Sequence, residues 1–265
     1  MSGARRSDEH SLLQAAGELW EIDCLHDFRT GVLAQVHALV GCDVASYNEI
    51  AGDSQDAYVV ADPAETLELS VLEGQLERFG ELVHQNPLAA HTLRTGDSRA
   101  LRLSDFIGRR RLHSLELYDC IYRHLGVEYQ IVFTVPSEGQ LVGVSLSRAA
   151  RDFDERELDL LEAVRRIALP VHRCLHDRAR AEAVLHAVEL EDGAAQAILL
   201  VHASGALHPA HARAERVLGR LRGEPGASET LREWLRQQRR SHDQRPAPLR
   251  LAVGSLWLEA RYVRG

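Results

Sequence analysis

The sequence predicts an α+β fold, an antiparallel sheet covered by helices and followed by a smaller α/β unit. Three observations predict it. Runs of alternating apolar and polar residues come in pairs around turn residues, at 44–60 and again at 129–147, as antiparallel hairpins do. Segments with apolar residues every three or four positions stand before, between and after those pairs, so helices are segregated from the strands. The longest helical pattern, over 152–180, closes this first part, and from Ala181 the elements become shorter.

Each element has its own grounds. Residues 11–22 read as a helix capped by Ser11, with Leu12, Ala16, Leu19 and Trp20 on one face. A second helix runs from Phe28 to Val40 and stops at Gly41. Val44, Ser46 and Asn48 then alternate with Ala45, Tyr47 and Glu49, and a polar turn at 52–55 leads to a strand at Tyr58–Val60. Leu69, Leu72, Leu76, Phe79 and Val83 recur at helical spacing, predicting a helix over 65–83. Asn86-Pro87 ends that run and starts a short helix through Leu93. After a short strand at 101–103, Ser104-Asp105 caps a single turn, and Leu112, Leu115, Tyr118 and Tyr122 predict a helix over 110–124, with Gly126 as its C-cap. Strands 129–135 and 141–147 flank the turn Pro136-Ser-Glu-Gly139. The helix over 152–180 opens on a capping box, Asp154 with Glu157, with Phe153 as a staple, and Pro170 is expected to kink it. The second unit reads as strand 196–201, turn, short strand 206–208, helix 209–222, loop, helix 230–240, a polar linker 241–248 and two closing strands.

Composition narrows the chemistry. The chain has 265 residues, 45% hydrophobic and 26% charged, an ordinary globular balance for one large domain or two smaller ones. No apolar run reaches the ~18 residues of a membrane span, and Met1–His10 lacks the apolar core of a secretory signal, so a cytoplasmic location with no membrane partner is expected. All 31 basic residues are arginine, which removes the lysine of phosphate-binding loops, kinases and pyridoxal Schiff bases. A net charge of −8 argues against nucleic-acid binding by the whole chain. Cys24, Cys42, Cys120 and Cys174 are far apart with no paired spacing, and read as reduced, small, buried residues.

The series His84-Gln-Asn-Pro-Leu-Ala-Ala-His91, Thr95-Gly-Asp97, Leu103-Ser-Asp-Phe106, Leu115-Glu-Leu-Tyr118, Tyr122-Arg-His-Leu-Gly126 and Ser147-Arg-Ala-Ala-Arg-Asp-Phe-Asp-Glu-Arg156 resembles the GAF-like sensory region of bacterial LuxR-type helix-turn-helix transcriptional regulators. The segment 196–264 is similar to the short PAS-like unit that follows in those regulators. The resemblance implies a GAF-like domain over 1–180, including the closing helix 152–180, and a PAS-like domain over 181–265. It further implies a signal-sensing, dimerising role with a small-molecule effector and no cofactor. DNA would be reached through a helix-turn-helix that this sequence, ending at Gly265, does not contain.

No hydrolase elbow, zinc-protease motif or dinucleotide fingerprint is present, so the chain is not expected to be an enzyme. Tyr118 and Tyr122 share a helical face beside His113 and Cys120, and Tyr47, Tyr58 and Tyr129 lie on predicted strands; together they are candidate walls of a ligand pocket, the alternative being core aromatics. Leu161, Val164, Ala168, Val171 and Leu175 form an apolar seam that predicts a homodimer through the long helix. His172 and His176, four apart, have zinc-ligand spacing but lack a third ligand, and His202, His208 and His211 form a second histidine-rich patch. The arginines at 109–111, and those at 232, 236, 239 and 240 beside Glu229 and Glu233, read as solvated helix faces. Two other readings stand beside the sensor: a protein-interaction scaffold without a small-molecule ligand, and a metal-assisted hydrolase using His172 and His176.

Overall fold

Among the described residues, five strands form one antiparallel sheet in the order β2-β1-β5-β4-β3. They are β1 (Val44–Ala51), β2 (Ala57–Asp62), β3 (Leu101–Arg102), β4 (Tyr129–Val135) and β5 (Gln140–Arg148). The computed structural model describes residues 2–51, 57–68, 78–137, 140–189, 197–201, 206–210, 212–240, 248–253 and 256–260. The chain divides into two compact units, Met1–Ala179 and Arg180–Gly265. The first unit is thus mixed α+β, with an antiparallel sheet and covering helices.

Strand register sorts the sheet's side chains onto two faces, because successive residues of a strand point to opposite sides. Ala45 and Tyr47 of β1, Ile131, Phe133 and Val135 of β4, and Val142, Val144 and Leu146 of β5 share one hydrophobic core. Three helices contribute to that core: α1 (Ser2–Trp20), α2 (Leu25–Val40) and α6 (Glu155–Glu189). Leu19, Phe28, Val32, Val36, Leu161, Val164 and Ala168 fill it at 0% exposure. Each such side chain contributes on the order of 1.5–3 kcal/mol by leaving water.

The closing helix begins as its sequence dictates. Asp154 Oδ1 accepts from the Glu157 N–H at 2.9 Å, while Glu157 Oε2 accepts from the Asp154 N–H at 2.8 Å. The same carboxylate takes the Arg148 guanidinium at 2.8 Å and Arg151 at 2.7 Å. Arg148 also donates to the carbonyls of Val40 and Gly41, joining the end of α2 to the end of β5. Burial alone would raise the Glu157 carboxyl, but the bonds from Arg148 and Asp154, with the charges of Arg148 and Arg151, hold it below the usual range. Pro170 stands inside α6 on its exposed side, and the helix runs through it.

Residues 78–127 cover the sheet's other face. They include the single-turn α3 (Phe79–Leu82), α4 (Pro87–Thr95), the single-turn α5 (Arg109–Leu112) and a π-helical turn at Tyr118–Tyr122. They have a core of their own, including Leu82, Leu88, Leu103, Leu112, Leu117 and Ile121. The structure differs from the sequence reading in several places. The first helix starts at Ser2, not Ser11: Ala4, Arg5, Arg6 and Glu9 favour helix, and Arg156 on α6 pairs with Asp8. The helix expected over 65–83 is met at its ends alone, by a 3₁₀ turn at Ala64–Glu68 and by α3; Leu69, Leu72 and Leu76 lie outside the described residues. The helix expected over 110–124 is broken after Leu112, where Ser114 Oγ donates back to the Arg111 carbonyl at 2.7 Å. Two cysteines expected in the core, Cys24 and Cys174, are exposed, and Cys24 caps α2 through Sγ, 3.5 Å from the Asp27 nitrogen.

The second unit contains two hairpins, β6 (Leu199–Val201) with β7 (Leu207–Pro209) and β8 (Leu249–Val253) with β9 (Leu256–Ala260). Its helices are α7 (Ala212–Arg222) and α8 (Pro225–Arg240), the latter beginning at a proline placed where no helix bond is lost. Leu221, Leu231, Trp234, Leu235, Leu251 and Val253 form its core. Glu229 and Glu233 pair with Arg236 along α8. No helix among the described residues is long and apolar enough to cross a membrane.

Candidate functional site

The face of the sheet turned away from α2 and α6 is not uniformly apolar. The alternation that sends Ala45, Tyr47 and Val144 into the core sends Ser46 and Asn48 of β1, Gln130 and Thr134 of β4, and Ser145 and Ser147 of β5 to the other side. Between this face and the covering segment lies a cavity of about 80 Å³. Val83, Leu88, Ala89, Ile121, Tyr122 and Leu125 line it from the cover, and Ile50, Val59, Val132 and Leu141 add apolar surface from the strands. Among the described residues lining it, none carries a charge.

One end of the cavity is a hydrogen-bond network. Asn86 caps α4 by accepting from the Leu88 N–H at 2.8 Å. Its Nδ2 donates to the Tyr122 hydroxyl at 2.8 Å and to Gln130 Oε1 at 3.0 Å. Gln130 Nε2 continues to Ser147 Oγ at 3.3 Å. Burial pushes the Tyr122 hydroxyl up to about 12, against the opposing bonds with Asn86 and Gln130. The network pins the cover to β4 and β5, and the π-helical turn places both Ile121 and Tyr122 toward the cavity. Farther along, the Ser46 and Ser145 hydroxyls share a bond of 2.7 Å, and Asn48 Nδ2 donates to Ser46 Oγ at 3.1 Å.

The tyrosines singled out in the sequence separate. Tyr122 lines the cavity. Tyr118 faces Glu128, donating to Oε1 at 2.6 Å, with the His113 ring stacked 4.2 Å away and His113 Nε2 2.9 Å from Glu128 Oε2. Arg109 completes that cluster at 3.0 Å. Burial alone would raise the Glu128 carboxyl, but the bonds from Tyr118, His113 and Arg109 hold it below its usual range. Cys120 lies 4.0 Å from an Arg78 nitrogen. Tyr47, Tyr58 and Tyr129 are on the opposite face from the cavity by strand parity. Tyr47 is in the α2–α6 core, Tyr58 lies under Arg29 at 5.0 Å, and Tyr129 packs on that core under Arg109 at 5.8 Å.

The apolar seam of α6 is occupied within the chain. Leu161, Val164 and Ala168 are 0% exposed, Val171 2% and Leu175 5%, all in the core of their own unit. This corrects the expectation of a dimer through that seam: periodicity marks a buried stripe, and here the sheet of the same chain buries it. His172 lies in this core too, Nε2 3.5 Å from the Tyr47 hydroxyl and its ring 5.3 Å from Phe28. Burial, with His176 and Arg29 nearby, lowers it to about 4. The His172 and His176 rings are 6.3 Å apart, and among the described residues no group of three metal-ligating side chains is present. His208 is on β7, while His202 and His211 lie outside the described residues.

Asn86, Gln130, Thr134, Gly143 and the Ser46–Ser145 pair are neither aromatic nor titratable and are not among the candidates named from the sequence. Their signal was available as parity: polar residues at every second position of strands whose other positions are apolar, followed by enough helical chain to cover them.

No protein-family model matches the chain, and no curated protein matches it. Among solved structures it is similar to the ligand-binding domain of VqsR from Pseudomonas aeruginosa, at 17% identity over 64% of this chain and 95% of that one, with a TM-score of 0.45. It is similar also to CepR2 from Burkholderia cenocepacia, an N-acylhomoserine lactone dependent LuxR family transcription factor, at 16% identity over 65% and 98%, with a TM-score of 0.44. Escherichia coli SdiA follows at 14% identity over 66% and 76%, with a TM-score of 0.37. At these identities and scores, function has to be read from the cavity.

Proposed function

We propose that the Met1–Ala179 unit is a signal-sensing module that binds a small uncharged effector in the cavity, and that the chain is the regulatory portion of a LuxR-type transcriptional regulator. One observation carries the reading: a charge-free cavity with both polar and apolar walls, on a sheet whose other face is buried against helices. Burying an ion there would cost far more than burying a neutral group. The lining offers hydroxyls and amides but neither an acid nor a base, which favours binding over catalysis. The reading of GAF-like and PAS-like units rests on the spaced motifs quoted above. A homodimer would have to use a surface other than the α6 seam.

The size of the cavity suggests the mechanism. An effector larger than the cavity has to move the cover away from the sheet. Binding then favours an open packing over a closed one, by the difference in its affinity for the two. The π-helical turn and the Asn86 network are the contacts such a movement would rearrange.

Native mass spectrometry of the purified chain tests this. A small-molecule adduct is expected, acquired in the cell or from a metabolite extract, and it should vanish in Ser145→Phe, which fills the cavity. An adduct that survives Ser145→Phe, or none from either source, overturns the reading. A protein-interaction scaffold is the second reading, favoured by Leu13 and Trp20, exposed at 73% and 58% and seven residues apart on α1.

A further inference from the structure

The cavity has a second polar zone, and unlike the Asn86 network it holds a buried hydroxyl without a partner. In the register of the sheet, Gly143 of β5 sits between Asn48 of β1 and Thr134 of β4. All three line the cavity. Thr134 is 7% exposed, and its Oγ1 is buried with no hydrogen-bond partner among the described residues. A buried hydroxyl normally has one.

The glycine is not demanded by the fold. Its φ is not among the positive values, which belong to Gly41, Gly96 and Gly126. A Cβ built there meets Val132 Cγ1 at 3.8 Å, an ordinary contact. Glycine weakens a strand interior, and where backbone geometry does not require it, it often marks a close approach by another group. Here the missing side chain leaves a gap in the cavity floor beside the unpartnered hydroxyl.

Resting on the proposed sensor reading, we infer that Thr134 and Gly143 form the specificity-determining subsite of the cavity: an uncharged hydrogen-bond acceptor of the ligand, such as an amide or ketone carbonyl, sits over Gly143 and takes the Thr134 hydroxyl proton as a hydrogen bond. The rest of the ligand is apolar and lies against residues such as Ile50, Val83, Ala89 and Leu141, which flank this end. The Asn86 network, whose side chains bond to one another, holds the cover.

The test uses the whole chain and three small probes: xenon, butanamide and its anionic counterpart butanoate, titrated by NMR. Wild type should bind xenon, and should bind butanamide at least about tenfold more tightly than butanoate, because the anion would be buried without a partner. Thr134→Val should weaken butanamide about fivefold, the worth of one hydrogen bond, and leave xenon unchanged. Gly143→Val should exclude butanamide. Because Thr134→Val removes an unpaired buried hydroxyl, it should fold at least as well as wild type. Xenon binding with butanamide unaffected by Thr134→Val overturns the subsite while leaving the cavity reading intact. Failure of all three probes to bind overturns both.

Discussion

The two faces of the first unit's sheet are made by the same strands and solve different problems. On the α2–α6 side, Val142, Val144 and Leu146 are fully buried in one core with the helix side chains. On the other side, Gly143, Ser145 and Ser147 meet a cover that touches the sheet at its ends and leaves space between. A face that only had to be stable would be filled, since each deleted buried group costs transfer free energy and leaves a cavity behind. The difference teaches that the packed face holds the fold while the hollow face is reserved for something else. Its polar groups are satisfied in pairs, except at Thr134.

The largest effect should come from exchanging the character of neighbouring positions. Val144→Asn places an amide in the packed core and should destabilise by about 4 kcal/mol, from lost packing and an unpaired polar group together. Urea unfolding measures it. A loss under about 1 kcal/mol would mean that the packed face is as tolerant as the hollow one.

The Asn86 network should come next. Asn86→Ala removes the cap of α4 and strips Tyr122 and Gln130 of a donor, an expected loss of about 2–3 kcal/mol. Hydrogen exchange should show the loss concentrated in residues 78–127 while α2 and α6 stay protected. A uniform rise in exchange would show that the cover and the packed face form one cooperative unit.

The faces also differ in titration. His172, in the packed core with Tyr47, Phe28, His176 and Arg29 around it, is held near 4 against an ordinary value of 6.5. Its folded value is depressed, so between pH 6.5 and about 4 the unfolded chain binds the proton and the folded chain does not. Stability therefore falls as pH falls through that window, by about 2 kcal/mol between pH 6.5 and 5. Glu128, Glu157 and Glu162, held below their ordinary 4.5, contribute stability that is lost only at lower pH, below that value. His172→Leu should flatten the upper window. Butanamide binding should stay level across it, since no residue lining the cavity titrates there. A slope unchanged in His172→Leu would assign the dependence elsewhere.

How much of this was legible depends on what each residue has to announce. The capping box of Asp154 and Glu157 is local, and the structure makes it with the very atoms the spacing implies. The helix start at Asn86-Pro87 is local in the same way. The alternation in β1 was visible, but alternation does not say which face is hollow. Tyr47, Tyr58 and Tyr129 drew attention by their chemistry, yet their parity puts them with the packed core. The α6 seam shows the limit from the other side: Leu161 to Leu175 must be buried, and periodicity is silent on whether the covering surface belongs to the same chain. Gly143 was hardest to read, because an absent side chain has meaning only once its neighbours are in place.

The smallest expected effect discriminates most sharply between the faces. Ser46 and Ser145 share one hydroxyl bond across adjacent strands, beside a cavity rather than against a helix. Removing one hydroxyl leaves the other with one bond fewer, so Ser46→Ala and Ser145→Ala should each cost about 1 kcal/mol. Removing both should cost little more than either alone, because no unpaired partner remains, and a double-mutant cycle should read a coupling of about 1 kcal/mol. Asn48, which donates to Ser46, adjusts at the edge of a space that can take water. The cavity of the double variant, now less polar, should gain affinity for xenon relative to butanamide. If the two substitutions simply add, the serines are separately hydrated, and the hollow face is a wet surface that the cover does not close.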